Sequence, residues 1–323
     1  MLIQILRRHL KPYTREIVIV IVLQTIGTIA ALTLPSLNAD IIDNGVVRGD
    51  TDYILRMGSW MLLVSLVQAA STITAVYFGA RTAMAFGRDV RSAFFHRVME
   101  FSSREMARFG APSLLTRNTN DVQQIQMLVL TTFTLLIAAP IMMVGGVFMA
   151  LREDTGLAWL IAVTVVVLVV IIAFLLSHMV PGFRVMQRRL DTVNKVLREQ
   201  IAGIRVVRAF VREPFETERF GEANTDLTNV SITVGRWMAA IFPAVMLVMN
   251  LSSVAVLWFG GLRVDAGAMQ IGSLTAFLSY LIQILMAVMM STFMLMLLPR
   301  ASVSADRIGE VLETDPSVVP PAE

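Results

Sequence analysis

Few residues of this chain could take part in catalysis or ligand binding. The residue types and motifs that are missing exclude several classes of reaction. Neither lysine, Lys11 or Lys195, follows a glycine, so the 323 residues contain no Gly-Lys-Ser/Thr phosphate-binding loop. Cysteine is absent, which excludes disulfides, thiolate metal sites and cysteine nucleophiles. His178 is the only histidine within an uncharged apolar stretch, and we interpret it as a packing or interfacial residue rather than a proton relay. Any active transport would therefore take its energy from a partner domain rather than from ion coupling.

Weakly polar, aromatic and methionine side chains in the apolar parts of the chain are candidates for binding an amphipathic small molecule. The candidates are Gln68, Asn250, Tyr280, Gln283, Met286, Met290 and Met294. The three methionines recur every four residues and therefore share one helical face, where flexible thioethers can repack around unlike ligands. Two other interpretations stay open: amides pair across helix interfaces in membranes, and the methionines face lipid or pack.

Six stretches without Asp, Glu, Lys or Arg must position these side chains. They cover 17–39, 57–80, 122–151, 155–183, 237–262 and 266–299. About 20 apolar residues suffice for a helix to cross the hydrocarbon core of a membrane, and every stretch is longer than that. Hydrophobic residues make up 56% of the chain and charged residues only 16%, well below the roughly 25% of soluble domains. We therefore predict an all-α membrane protein with six transmembrane helices.

The distribution of cations predicts the orientation of these helices. Of 27 lysines and arginines, only Arg48, Arg56, Arg152 and Arg263 lie in the first, third and fifth connections. Because cations flanking membrane spans stay in the cytoplasm, both termini and the second and fourth connections are predicted to be cytoplasmic. The net charge of +3 then reflects topology, and we expect no nucleic-acid partner.

The second and fourth connections, 81–121 and 184–236, are too long to lack secondary structure. Apolar residues recur in them every three or four positions, which is typical of amphipathic helices. These stripes are Phe86, Val90, Phe94, Val98 and Phe101; Met186, Leu190, Val193, Leu197, Ile201 and Ile204; and Phe220, Ala223, Leu227, Val230 and Val234. We therefore predict helical extensions reaching about 30 Å from the bilayer, with turns at 110–113 and 212–214. Residues 1–16 are predicted to form an amphipathic helix at the membrane interface.

Several segments of the sequence resemble those of a known protein family. They are SLLTRNTNDVQQIQ (113–126), EQIAGIRVVRAFVREPFETERF (199–220), VLWFGG (256–261) and RASVSADRIGEVLE (300–313). Together with the six stretches, they are similar to the transmembrane half of a bacterial ABC exporter of the multidrug and lipid type. The resemblance implies an exporter transmembrane domain over 17–299, preceded by an elbow helix over 1–16, in the bacterial plasma membrane. It also implies that 300–323 is a linker toward a nucleotide-binding domain, absent from these residues, that binds ATP and Mg.

The resemblance further implies two coupling helices at the tips of the cytoplasmic extensions, docking on the nucleotide-binding domains of this subunit and its partner. For the first, the matching residues are Phe109, Ser113, Leu114, Thr116, Arg117 and Asn118. For the second, they are Phe210, Arg212, Glu213, Phe215, Glu216 and Arg219. In the family, two such halves form a twelve-helix dimer, and the phrases 115–126 and 203–210 resemble the heterodimeric branch.

The resemblance thus predicts a subunit that exports amphipathic drugs or lipids by alternating access. Uptake through the same architecture stays open. The alternative in a different class is a non-transporting membrane scaffold or channel whose cytoplasmic hairpins bind a regulator.

Overall fold

The computed structural model describes residues 1–318, apart from the side chains at positions 295 and 296. Ten α-helices account for most of this range, and no strand occurs in it. They are α1 (Leu2–Leu10), α2 (Thr14–Asp40), α3 (Thr51–Met99), α4 (Ser103–Phe109), α5 (Ala111–Thr116), α6 (Val122–Thr131), α7 (Ala138–Glu153), α8 (Ala158–Ala209), α9 (Glu213–Asp265) and α10 (Ile271–Leu312). The last five residues of the predicted linker lie outside the described residues.

Short irregular turns join several of these helices end to end into longer rods. A 3-10 turn over Lys11–Tyr13 links α1 to α2, and π-helical turns over Arg117–Asp121 and Thr132–Leu136 link α5, α6 and α7. Within the described residues, six continuous helical segments are long and apolar enough to cross a membrane, each 42 to 53 residues long. About 20 residues suffice for one crossing. The prediction of an all-α protein with six membrane helices and long helical extensions is confirmed.

The described residues form two compact units, one of residues 1–158 and 256–318 and one of residues 159–255. In the first unit α10 packs against α7, α2 and α6, and α2 pairs with α3. Phe277, Tyr280 and Leu281 of α10 are fully buried there. The Tyr280 hydroxyl donates a hydrogen bond to the Leu32 carbonyl at 2.8 Å and lies 2.7 Å from Ser36 Oγ. Burial at a helix interface thus gives this membrane-depth hydroxyl its partners.

A second core of the first unit lies beyond the apolar stretch of α3. Phe86, Val90 and Phe94 are at most 1% exposed, as the stripe in the sequence predicts. Ile5 of α1 and Ile308 of the α10 extension belong to the same buried cluster. Helix α1 is therefore attached to the protein through its apolar side as well as being amphipathic.

The second unit consists of α8 and most of α9. Thr164 Oγ1 donates a hydrogen bond to Ser252 Oγ at 3.0 Å, and both side chains are buried. The His178 ring centroid lies 4.5 Å from that of Phe174 and 4.9 Å from that of Trp237. His178 therefore packs against aromatic rings, in line with its interpretation as a packing residue.

Candidate coupling and binding surfaces

The first tip, defined here as residues 100–121, contains a separate short helix, α4. The Ser102 side chain caps this helix, and Glu105 Oε2 in turn accepts hydrogen bonds from the Ser102 N–H at 2.8 Å and hydroxyl at 2.6 Å. This capping box satisfies N–H groups that the first helical turn leaves free. The hydrogen bond from the Ser102 hydroxyl, aided by backbone N–H groups, lowers the pKa of Glu105 to about 2. Gly110 follows the last residue of α4, and its φ of 74° turns the chain into α5.

Phe109 lies inside the first tip. Its ring stacks on Phe101 with centroids 5.7 Å apart and planes 9° apart. The guanidinium carbons of Arg108 and Arg117 lie 5.2 and 5.1 Å from its centroid, at cation–π distance. Phe109 is 8% exposed. This predicted coupling residue therefore packs within the first tip and does not form part of its outer surface.

The α10 extension binds the first tip through charged groups. Glu310 forms ion pairs with Arg117 at 2.8 Å and with Arg108 at 3.4 Å. Arg117 also donates to the carbonyl of Arg307 at 2.7 Å. The guanidinium of Arg307 lies 3.3 Å from the buried carboxylate of Asp121. The π-helical turn Arg117–Asp121, between α5 and α6, is therefore connected to the part of α10 that follows the last apolar stretch.

The other predicted residues of the first tip lie in α5 and the turn after it. Leu114 is buried, Ser113 and Asn118 are half-buried, and Thr116 is exposed. Sequence reasoning began the tip element at Phe109 and therefore missed the exposed side chains of Arg104 and Met106 on α4. The Ser-x-x-Glu pattern of Ser102–Glu105 is a helix-start signal that would have located α4.

The second tip, defined here as residues 199–219, is a tight turn between two long helices rather than a separate short helix. Helix α8 ends at Ala209 and α9 begins at Glu213. Phe210 and Val211, in the turn, are 74% and 76% exposed, and Phe215 is 55% exposed. Val211 has a φ of 53°, which is strained for a β-branched residue. The turn thus presents apolar side chains outward.

Ion pairs and hydrogen bonds connect the two helices of the second tip. Arg219 forms ion pairs with Glu199 and with Glu216, the latter at 3.5 Å. Gln200 Nε2 donates to the Glu216 carbonyl at 2.8 Å. Glu216 and Arg219 therefore connect α8 to α9. Arg212 and Glu213 are exposed, and the guanidinium carbon of Arg212 lies 5.9 Å from the Phe215 ring centroid.

The apolar stripe of the α8 extension is largely uncovered within the chain. Val193 is 7% exposed, but Leu197, Ile201 and Ile204 are 38%, 75% and 42% exposed. Their positions follow the apolar stretch 155–183 and precede the second tip. An exposed apolar surface beyond the membrane-spanning length is typical of protein contact sites.

The candidate ligand residues differ in accessibility. In the first unit, Gln68, Gln283 and Met290 are half-buried and Met286 is 46% exposed. Gln283 Oε1 is buried and has no hydrogen-bond partner among the described residues.

Two further candidates in the first unit are buried, and one lies in the second unit. Tyr280 is bonded within the core, and Met294 is 6% exposed in a cluster with Leu128 and Ala301. Asn250, in the second unit, is exposed. Ligand binding by these residues stays a prediction.

The geometry defines a helical multi-pass membrane protein with two tips outside its apolar stretches. Residues 17–288 match the ABC transporter transmembrane region. The chain is 53% identical over 314 residues to an uncharacterized ABC transporter ATP-binding protein of Mycobacterium tuberculosis, covering 97% of this chain and 54% of that protein. It is 31% identical over 306 residues to an uncharacterized ABC transporter ATP-binding protein of Bacillus subtilis, covering 95% and 53%. The chain belongs to the ABC transporter transmembrane family.

A third relative is more distant. The chain is 26% identical over 301 residues to a multidrug efflux ATP-binding/permease protein of Mycobacterium bovis, covering 91% of this chain and 24% of that protein. The chain spans about half the length of the first two relatives. Its resemblance to an ABC transmembrane half is confirmed, while the assignment to a heterodimeric branch stays a prediction.

Proposed function

We propose that the chain is the transmembrane subunit of an ATP-driven transporter and that its two tips dock on nucleotide-binding domains. The observation that carries the proposal is the exposed apolar turn of the second tip, formed by Phe210, Val211 and Phe215. Exposed aromatic side chains in a rigid frame are the usual anchors of protein interfaces. On the first tip, exposed Met106 and Arg104 offer a smaller surface of the same kind.

ATP and Mg would bind to the docked domains and not to this chain. Among residues 1–318, no group of three or more His, Asp or Glu side chains could hold a metal, and the sequence contains no phosphate-binding loop. Two of the relatives carry "ATP-binding" in their names and are almost twice as long as the chain. The work of this chain is then to transmit movement from its tips to its apolar helices.

A second half-transporter would complete the membrane unit. The exposed stripe of Leu197, Ile201 and Ile204 supports this proposal, because these residues lie beyond the apolar stretch and lipid would not cover them. A twelve-helix dimer would bury the stripe. We propose a heterodimer, on the sequence resemblance alone.

The cargo we propose is an amphipathic drug or lipid moved outward across the bacterial plasma membrane. Gln283 offers an unpaired carbonyl oxygen at membrane depth, and Met286 and Met290 offer adaptable apolar contacts beside it. The name of the multidrug efflux relative agrees with this class of cargo. Both termini and both tips would lie in the cytoplasm, as the cation distribution predicts.

The test uses the longer protein that contains this chain and its nucleotide-binding domain, reconstituted in lipid vesicles. We expect amphipathic compounds to stimulate ATP hydrolysis and to be moved in the same preparation. Movement in the direction of uptake would overturn export while keeping the transporter assignment. ATP hydrolysis that no compound stimulates, with no cargo movement, would favour the scaffold or channel.

A further inference from the structure

A groove of about 600 Å³ lies between α1 and the beginning of α2, and none of the functions above uses it. Ile3, Leu6, Leu10 and Ile17 contribute its apolar surface. The groove is shallow and largely open to its surroundings. Ile17 is the first residue of the first apolar stretch, so the groove lies where the membrane-spanning part of the chain begins.

Two cations complete the lining of the groove. Arg7 and Lys11 are one helical turn apart and both are exposed. Among residues 1–318, no carboxylate lies within ion-pair distance of either side chain. Like charges at this spacing repel one another on a helix. An anion between them would remove that repulsion.

A carboxylate of α3 that contacts the turn between α1 and α2 already has two partners. Asp89 of α3 accepts a hydrogen bond from the Tyr13 hydroxyl at 2.6 Å and pairs with Arg88 at 2.8 Å. Thr14, which also lines the groove, donates its hydroxyl to the Lys11 carbonyl at 2.6 Å. These bonds fix the turn between α1 and α2 without neutralising Arg7 or Lys11. The groove therefore combines apolar side chains with two cations that have no carboxylate partner.

We propose that this groove is a binding site for one anionic glycerophospholipid. The phosphate would lie between Arg7 and Lys11, and an acyl chain would follow the apolar lining to Ile17. Exposed apolar residues continue along α2 from there, since Val18 is 52% and Ile21 43% exposed. A free phosphate ion would use the cations but leave this apolar surface uncovered, so a lipid fits the whole groove.

The site would also stabilise the anchoring of α1. Ile5 of α1 is buried in the cluster that contains Ile308 of the α10 extension. Leu6, Leu10 and Ile17 of the groove also pack against this cluster. A lipid in the groove would therefore hold α1 against both the membrane and the protein core. Charged lipid surfaces attract each nearby lysine or arginine by about 1 kcal/mol, or about fivefold in affinity.

The test is a titration of the full chain, purified in neutral detergent, with phosphatidylglycerol, followed by native mass spectrometry. We expect a single tightly retained lipid, and about 30-fold weaker retention in the double variant Arg7→Gln/Lys11→Gln. Glutamine keeps a good helix propensity, so α1 should still form. Phosphatidylcholine should be retained at least about 10-fold more weakly, because the choline cation of this zwitterionic lipid offsets the charge of its phosphate and is repelled by Arg7 and Lys11.

The matched control is Arg8→Gln/Arg15→Gln, which removes the same charge from the same segment at positions that do not line the groove. We expect it to bind phosphatidylglycerol within about threefold of the unmodified chain. Equal losses in both double variants would replace the site with diffuse electrostatic attraction. Displacement of the lipid by millimolar inorganic phosphate would show that the cations bind a free anion, and equal retention of phosphatidylcholine would show that the groove does not select charge. Each of these three results overturns the proposal.

Discussion

Truncation of Phe215 to alanine should uncouple ATP hydrolysis from transport. A phenylalanine side chain offers roughly 200 Å² to burial, and Phe215 is 55% exposed. Covering the remaining roughly 110 Å² in a groove of a nucleotide-binding domain, at about 25 cal/mol per Å², stabilises docking by about 3 kcal/mol at most. Its loss corresponds to roughly 100-fold weaker docking of the second tip.

The assay compares basal ATP hydrolysis, its stimulation by an amphipathic compound, and transport in vesicles containing the longer protein. We expect basal hydrolysis to persist in Phe215→Ala while stimulation and transport fall together. The variant should fold normally, because substitutions of exposed side chains usually change stability by less than about 0.5 kcal/mol.

Phe95→Ala is the matched control for this experiment. Phe95 is also 55% exposed and lies on α3, outside both tips as defined above. We expect Phe95→Ala to keep both stimulation and transport. Normal transport by Phe215→Ala would refute the docking role of this residue, and equal loss in both variants would show that the effect is not specific to the second tip.

Three further predictions concern orientation, strain and pH. A cysteine at Asp50 should react with an impermeant thiol reagent from outside intact cells, and a cysteine at Arg212 only after the membrane is opened. The chain has no native cysteine that would also be labelled. Labelling of position 212 from outside would reverse the predicted topology. Val211→Gly should raise the thermal unfolding midpoint, because glycine relieves the strain of the positive φ at this position. We expect the free energy of unfolding to rise by about 1 kcal/mol, after allowance for the added flexibility of glycine. An unchanged or lower midpoint would show that Val211 is not strained. The pKa of Glu105 is lowered to about 2 in the folded protein from an ordinary 4.5. Its contribution to the stability of α4 should therefore be complete above pH 4.5 and fade toward pH 2. A spin label on α4 whose mobility stays constant over that range would show that the capping box does not order the helix.

The fold was predictable because its determinants are local. Uncharged stretches longer than 20 residues define membrane helices, and the spacing of Phe86, Val90 and Phe94 predicts a helix that continues beyond the stretch and buries one face. The amphipathic helix at the N-terminus follows from the same reasoning. The attachment of this helix to the protein through Ile5 could not be predicted in this way, because the cluster that buries Ile5 includes residues 300 positions away.

The candidate sites were less predictable, since they depend on contacts between distant parts of the chain. The sequence marks Phe109 as an aromatic residue near a turn, but Phe101, Arg108 and Arg117 enclose its ring in the folded chain. Tyr280 likewise reads as a polar residue in an apolar stretch, yet its partner is a carbonyl 248 positions earlier.

The methionine face shows the same limit of local reasoning. Periodicity places Met286, Met290 and Met294 on one face, but it does not show which neighbour covers each residue. In the folded chain Met294 packs with Leu128 and Ala301, while Met286 is 46% exposed. Accessibility along one face therefore varies with tertiary packing that the spacing does not encode.

Contact between the second tip and a nucleotide-binding domain can be tested directly by crosslinking from Val211. Val211 is 76% exposed at the turn, so a Val211→Cys variant of the longer protein can be labelled there with a thiol-linked photoreactive group. Leu55→Cys is the control, since Leu55 is 70% exposed near the beginning of α3 on the predicted outer side. We expect crosslinked peptides between position 211 and a nucleotide-binding domain, and none from position 55. Efficient labelling at position 211 without a crosslink to any nucleotide-binding domain would contradict docking of the second tip.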